Sequence, residues 1–185
     1  ERVIIFAVDA SGSSALARLS EAKGAVELML AQAYSQRDFV ALIGFRNTGA
    51  EILLPPTRSL VQTKRRLAEL PGGGGTPMAT GLKAAGEMAL QASSKGKTPI
   101  IIVLTDGRAN ITLEGIPDRV RAMDESYQIS QWIALSGIKS VIFDVGKRPN
   151  KVLSKLAEDM QAAYFALPRA DAHLISKKIG IELGI

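Results

Sequence analysis

Two uninterrupted apolar runs, each followed at once by an aspartate-bearing turn, restrict this chain more than any other feature of its sequence. Val3-Ile4-Ile5-Phe6-Ala7-Val8 leads directly into Asp9-Ala10-Ser11-Gly12-Ser13, and the run from Ile100 to Leu104 leads into Thr105-Asp106-Gly107. A strand without polar alternation must be covered on both faces, as in a parallel sheet packed between helices. Elsewhere apolar runs alternate with helical patterns, which predicts βα units. The patterns place strands near 2–8, 38–45, 50–54, 99–104, 139–145 and 162–166. Helices are expected near 14–34, 59–69, 78–93, 117–136, 149–159 and 170–182. In the first of these, Leu16, Leu19, Ala22, Val26 and Met29 recur at three- and four-residue steps and form one buried stripe.

The turn chemistry of Arg46-Asn47-Thr48-Gly49 predicts an antiparallel hairpin at one edge of the sheet. Pro55-Pro56 is expected to end its second strand, because proline cannot donate to the ladder. The resulting expectation is an α/β fold: a Rossmann-like three-layer sandwich. Its central six-stranded sheet is mostly parallel, with one antiparallel edge strand and helices on both faces. A length of 185 residues at 46% hydrophobic content suits one domain over 1–185 with a sizeable core. No stretch approaches the ~18 apolar residues of a membrane span, and no signal peptide is visible; a chain that opens on a core strand is expected to be cut from a longer protein. The absence of cysteine excludes disulfides and thiolate metal sites. A net charge of +5 favours acidic partners but is too diffuse to indicate nucleic acid.

The polar residues at the strand ends are all hard oxygen donors. Asp9, Ser11 and Ser13 leave the first strand, and Asp106 leaves a strand expected beside it. Thr76 follows the run Gly72-Gly73-Gly74-Gly75, whose backbone freedom lets it approach the same point, and Pro77 suits the first turn of the next helix. In open α/β sheets ligands collect outside the carboxyl ends of strands, where strand order reverses. Two carboxylates with hydroxyls and water suit Mg²⁺, with Mn²⁺ as the alternative, rather than Zn²⁺. Such a site keeps a position open, which a carboxylate from another protein can fill.

Asp9-x-Ser11-x-Ser13, Thr76 within Gly-Gly-Thr-Pro, and Asp106 within Thr-Asp-Gly resemble, in order, the complete metal-ion-dependent adhesion site of von Willebrand factor A and integrin I domains. The resemblance covers essentially the whole chain. The segments 19–27, 37–43, 53–60 and 70–77 narrow it further, being similar to the C-terminal domain of the magnesium chelatase D subunit. That family takes part in inserting Mg²⁺ into protoporphyrin IX in chlorophyll and bacteriochlorophyll synthesis. The resemblance implies a module that is not an enzyme by itself, within an ATP-dependent complex. It implies the ATPase I subunit and the porphyrin-binding H subunit as partners, with a partner's acidic residue completing the metal shell. It also implies an upstream AAA+ ATPase-like domain, and a cytoplasmic location in bacteria or the stroma in chloroplasts.

Two rival functions fit parts of the pattern: an adhesion-type module of another AAA+ chelatase or unrelated system, and a metal-dependent phosphoryl hydrolase. The hydrolase needs a second acid two residues after Asp9, where Ser11 stands. Gly96-Lys97-Thr98 imitates a phosphate loop but precedes a strand instead of following one. Lys64-Arg65-Arg66, with Arg58 nearby, reads as a solvated helix face. Trp132 and Tyr127 read as packing residues, and His173 as a surface or capping residue. Arg108 either attracts an acidic partner or pairs with a local carboxylate.

Overall fold

The computed structural model describes residues 1–12, 23–166, 177 and 180. Its six strands are β1 (Arg2–Asp9), β2 (Phe39–Arg46), β3 (Gly49–Thr57), β4 (Thr98–Thr105), β5 (Lys139–Asp144) and β6 (Ala163–Ala166). The described helices are α1 (Lys23–Ser35), α2 (Leu60–Ala68), α3 (Met78–Ser94), α4 (Arg119–Leu135) and α5 (Lys151–Met160). The sheet order is β3-β2-β1-β4-β5-β6. Only the β2–β3 pair is antiparallel, and β3 lies at the edge, as the hairpin turn predicts. The expected three-layer α/β sandwich is therefore the observed one.

The lack of alternation in β1 and β4 is explained by two cores. Val3, Ile5 and Ala7 of β1 join Ile101 and Val103 of β4 beneath α3, α4 and α5, packed with Leu82, Ala122 and Leu156. Ile4, Phe6 and Val8 meet Ile100, Ile102 and Leu104 on the other face, packed with Val26, Met29 and Leu30 of α1. Leu16, Leu19 and Ala22 of the predicted stripe lie outside the described residues, as do His173 and all of the predicted last helix except residues 177 and 180.

One expectation is corrected. Pro55-Pro56 does not end β3, which continues to Thr57. Two register shifts accommodate the extra residues: Ile43 faces Ile52, Leu42 faces Leu54, and Val40 faces Thr57. Proline is tolerated because β3 is an edge strand with bulges, where a missing N–H need not break a ladder on both sides.

Trp132 and Tyr127 pack, partly buried, against the α3–α5 core. Lys64, Arg65 and Arg66 lie exposed on α2, with Arg65 paired to Glu69 at 3.0 Å. Arg58 lies over the Phe39 ring and pairs with Glu1. No described helix is long and apolar enough to cross a membrane.

Candidate metal centre

Strand order reverses between β1 and β4: β1 is followed by β2 on one side, and β4 by β5 on the other. The carboxyl ends of these two strands thus open a crevice of the kind where α/β sheets bind ligands. Asp9 ends β1 inside it, only 6% exposed. The residue after it is pinned on both sides. Ala10 donates its N–H to the Phe45 carbonyl of β2 and accepts from the Gly73 N–H, so the glycine run is tied directly to the β1 loop.

Asp9 Oδ1 accepts from the Ser11 N–H at 2.9 Å and from Ser11 Oγ at 2.5 Å. Its Oδ2 accepts from Thr105 Oγ1 at 2.7 Å. Thr76 Oγ1 donates to Ser11 Oγ at 2.6 Å, although the two are 65 residues apart in sequence. Three of the five predicted positions therefore form one hydrogen-bonded oxygen cluster. Asp106, from the adjacent strand end, stands at its mouth with its side chain 17% exposed. Its Oδ1 accepts from the Arg108 N–H, and the Arg108 guanidinium lies 3.8 Å from Oδ2. Arg108 thus has a local carboxylate partner while remaining 75% exposed. Ser13 lies outside the described residues.

The glycine run is needed where it approaches the rest of the crevice. Gly74 holds φ 85°, and a Cβ there would fall 1.8 Å from Asn47 Oδ1 of the hairpin turn. At Gly75 a Cβ would collide with Ile111 Cγ1 at 2.6 Å. A larger residue at either position would have to displace the Asn47 or Ile111 side chain.

Burial pushes the Asp9 carboxyl up to about 6, and the nearby Asp106 carboxylate adds to the shift; hydrogen bonds from Ser11 and Thr105 oppose it. A carboxylate so disfavoured in its charged form suits a bound cation. Among the described residues no three His, Cys, Asp or Glu side chains cluster. An ion here would be held by two carboxylates, hydroxyls and water, which is the donor set of Mg²⁺ and a poor one for Zn²⁺. The residues present fit the metal.

Four supporting residues escape a reading of the motif alone. Thr105 is fully buried, holds Asp9, and accepts from the Gly107 N–H. Asn110 Oδ1 accepts the Thr76 N–H at 2.8 Å, while the Asn110 and Ile111 N–H groups donate to the Thr76 carbonyl. This gives the long connection 107–118 a role, and it is folded: Ile111 bridges Pro117 and Thr112 N–H donates to the Ile116 carbonyl. Behind Asp106, Asn150 Nδ2 donates to the Asp106 carbonyl at 3.2 Å and its Oδ1 caps α5 at Val152 N. Asp144, 1% exposed, takes donors from Gly146 N, Asn150 N and Tyr164 Oη, and so fixes the loop that carries Asn150. The only sequence sign of these four was their position at the last residue of a strand, for Thr105 and Asp144, or in the loop that follows one, for Asn110 and Asn150.

Comparison with known proteins identifies the family and the fold. Over 184 residues the chain is 56% identical to the magnesium-chelatase 60 kDa subunit of Cereibacter sphaeroides, covering 100% of this chain and 33% of that protein. It is 43% identical over 188 residues to the magnesium-chelatase 67 kDa subunit of Chlorobaculum parvum, covering 94% of this chain and 30% of that protein. The chain thus spans about a third of the length of these curated relatives. Its fold matches the solved VWA domain of SpRpn10 with a TM-score of 0.70 at 14% identity, over 95% of this chain and 93% of that one. The family model for the von Willebrand factor type A domain matches residues 4–108, from the first buried strand to the residue beside Asp106, and the chain belongs to that family.

Proposed function

We propose that this chain is the Mg²⁺-dependent protein–protein interaction module of a magnesium chelatase D-type subunit. In this reading Asp9, Ser11, Ser13, Thr76 and Asp106 hold the ion, and a carboxylate from a partner subunit completes its shell. The observation that carries it is the convergence of Asp9, Ser11 and Thr76 into one oxygen cluster with Asp106 at its mouth. The bound ion, Mg²⁺ or Mn²⁺ in its place, supplies a hard Lewis-acid centre with a position open to an outside oxygen. The protein's own part is to hold and orient. Thr105 and Ser11 fix both Asp9 oxygens, Asn110 fixes Thr76, and Asn150 fixes the Asp106 backbone. Three donors hold the Asp9 carboxylate in one orientation, facing the position where an ion would sit among Ser11, Thr76 and Asp106.

The relatives named as magnesium-chelatase subunits support the wider setting. Residues 1–185 would be the C-terminal domain of a longer AAA+-containing subunit. It would act beside the ATPase I subunit and the porphyrin-binding H subunit in the complex that inserts Mg²⁺ into protoporphyrin IX for chlorophyll or bacteriochlorophyll synthesis. The module is non-catalytic by itself and works in the bacterial cytoplasm or the chloroplast stroma. The test is calorimetry of the full-length D-type subunit with the purified I subunit, in Mg²⁺ and then in EDTA, for wild type and Asp106→Ala. Binding that needs both the metal and Asp106 is expected. Binding indifferent to both overturns the proposal.

A further inference from the structure

The crevice is bordered by cations on both sides. Arg46 is the last residue of β2, Arg108 follows β4, Lys147 and Arg148 lie in the loop after β5, and Lys151 opens α5. The order β2-β1-β4-β5 sets them in that sequence across the carboxyl end of the sheet, with Asp9 and Asp106 between them. Arg108, Lys147, Arg148 and Lys151 are exposed and Arg46 is half-exposed. Among the described residues Arg46, Lys147, Arg148 and Lys151 form no ion pair, whereas Arg2, Arg58, Arg65, Arg121 and Lys155 each have a carboxylate partner.

Most of the described carboxylates at this end do not offset that charge, Glu51 in the pocket beside Arg46 being the exposed exception. Asp144 is buried under three donors, Glu114 faces Arg121, and Asp118 caps α4. Once an ion neutralises Asp9 and Asp106, the described rim keeps an excess of positive charge, greatest at Lys147, Arg148 and Lys151. A lone carboxylate on the metal leaves most of that row unused.

We propose that the rim selects an acidic segment of a protein partner, with one carboxylate on the metal and further carboxylates spaced to meet Arg46 on one side and Lys147 and Arg148 on the other. The proposal rests on the reading that the metal accepts a partner's carboxylate. Neighbouring strands are ~4.8 Å apart, so the row from β2 to β5 spans roughly 14 Å, the length of four or five extended residues. Acidic residues at every second position of such a segment fit it and face the same way. Rim charges act mainly on encounter rate and on rejection of wrong partners, and their effect weakens with salt. Phosphate chains would feel the same field. The loops 46–49, 106–118 and 145–151 contain no aromatic residue on which a base could stack, which favours a protein segment.

The test uses fluorescence anisotropy with two labelled peptides in a Gly-Ser background, one carrying a single glutamate and the other three glutamates at every second position. With Mg²⁺ at low salt, the three-glutamate peptide is expected to bind about tenfold tighter, a gain of about 1.4 kcal/mol. The combined variant Arg46→Gln, Lys147→Gln, Arg148→Gln should bring the two peptides within about twofold. Arg108 is left intact because it touches Asp106. An unchanged preference in that variant, with both peptides still released by EDTA, overturns the rim proposal alone. Binding unaffected by EDTA and by Asp9→Ala, or no binding of either peptide, overturns the metal-bridged reading and the rim proposal with it. A single-stranded oligothymidylate bound as tightly as the three-glutamate peptide, and lost in the rim variant, assigns the rim to nucleic acid and also overturns it.

Discussion

Asp9 titrates near 6 in the folded chain, against an ordinary value of 3.8, chiefly because it is buried. Between those values the folded state holds a proton that the unfolded chain has released. Its contribution to stability is therefore greatest below pH ~4 and is lost as pH rises to ~6, a loss of about 3 kcal/mol. In EDTA the stability of wild type relative to Asp9→Asn should fall across that window. Denaturant melts at several pH values would measure it, and a rise would contradict the sign. Adding Mg²⁺ should restore wild type and leave Asp9→Asn unmoved. Asn110→Ala makes a separate prediction, because it strips the Thr76 N–H of its acceptor. An unpartnered buried amide costs about 1–3 kcal/mol, so this variant should melt earlier and bind Mg²⁺ more weakly. The contrast between Asp9 and Asn110 separates what sequence discloses from what it withholds. Asp9 is legible because a carboxylate straight after a buried strand has few other uses. Asn110 is not, because its partner is 34 residues away and nothing local distinguishes it from any loop asparagine.

Elements here owe their placement to contacts made at their ends and at single close approaches. Asn150 caps α5 and also holds the Asp106 carbonyl, so Asn150→Ala should act twice. Loss of the cap costs about 1 kcal/mol, and loss of an outer support should weaken Mg²⁺ binding about tenfold or more. Calorimetric titration of the folded variant separates the second effect from the first. Helices α3 and α4 meet where Gly86 faces Trp132, and a Cβ at Gly86 would stand 2.3 Å from Cζ3 of the indole. Alanine gains up to ~1 kcal/mol in a helix interior, whereas overpacking costs ~1–3 kcal/mol. The clash wins, so Gly86→Ala should lower the melting temperature and shift tryptophan emission. Element boundaries were mostly legible, since strand and helix periods differ; the caps Ser59 and Asp118 emerge only from the structure. The end of β3 was not. The ordinary meaning of Pro-Pro is a stop, and only an edge position with bulges cancels it.

At the scale of the whole molecule, one reversal of strand order gathers residues from distant parts of the sequence, and a bound ion would tie them together. Ligand that binds only the folded state stabilises it by mass action, about 2.7 kcal/mol at a hundredfold excess over Kd. Thermal melts with increasing Mg²⁺ should therefore rise progressively and return to baseline in EDTA, and a flat response would count against the site. The architecture was legible because parallel strands covered on both faces permit few arrangements. The cationic rim was not, because its members come from three separate loops that only the strand order sets in a row. The margin formed by β3 has a consequence for assembly. Its two prolines present no N–H, and its double bulge breaks the spacing that an incoming strand would need. At that margin a second copy cannot extend the sheet, so the interlocking of strands that leads to fibres is blocked there. Neighbours on that side must attach by side-chain contact, which lets them come apart and reassemble.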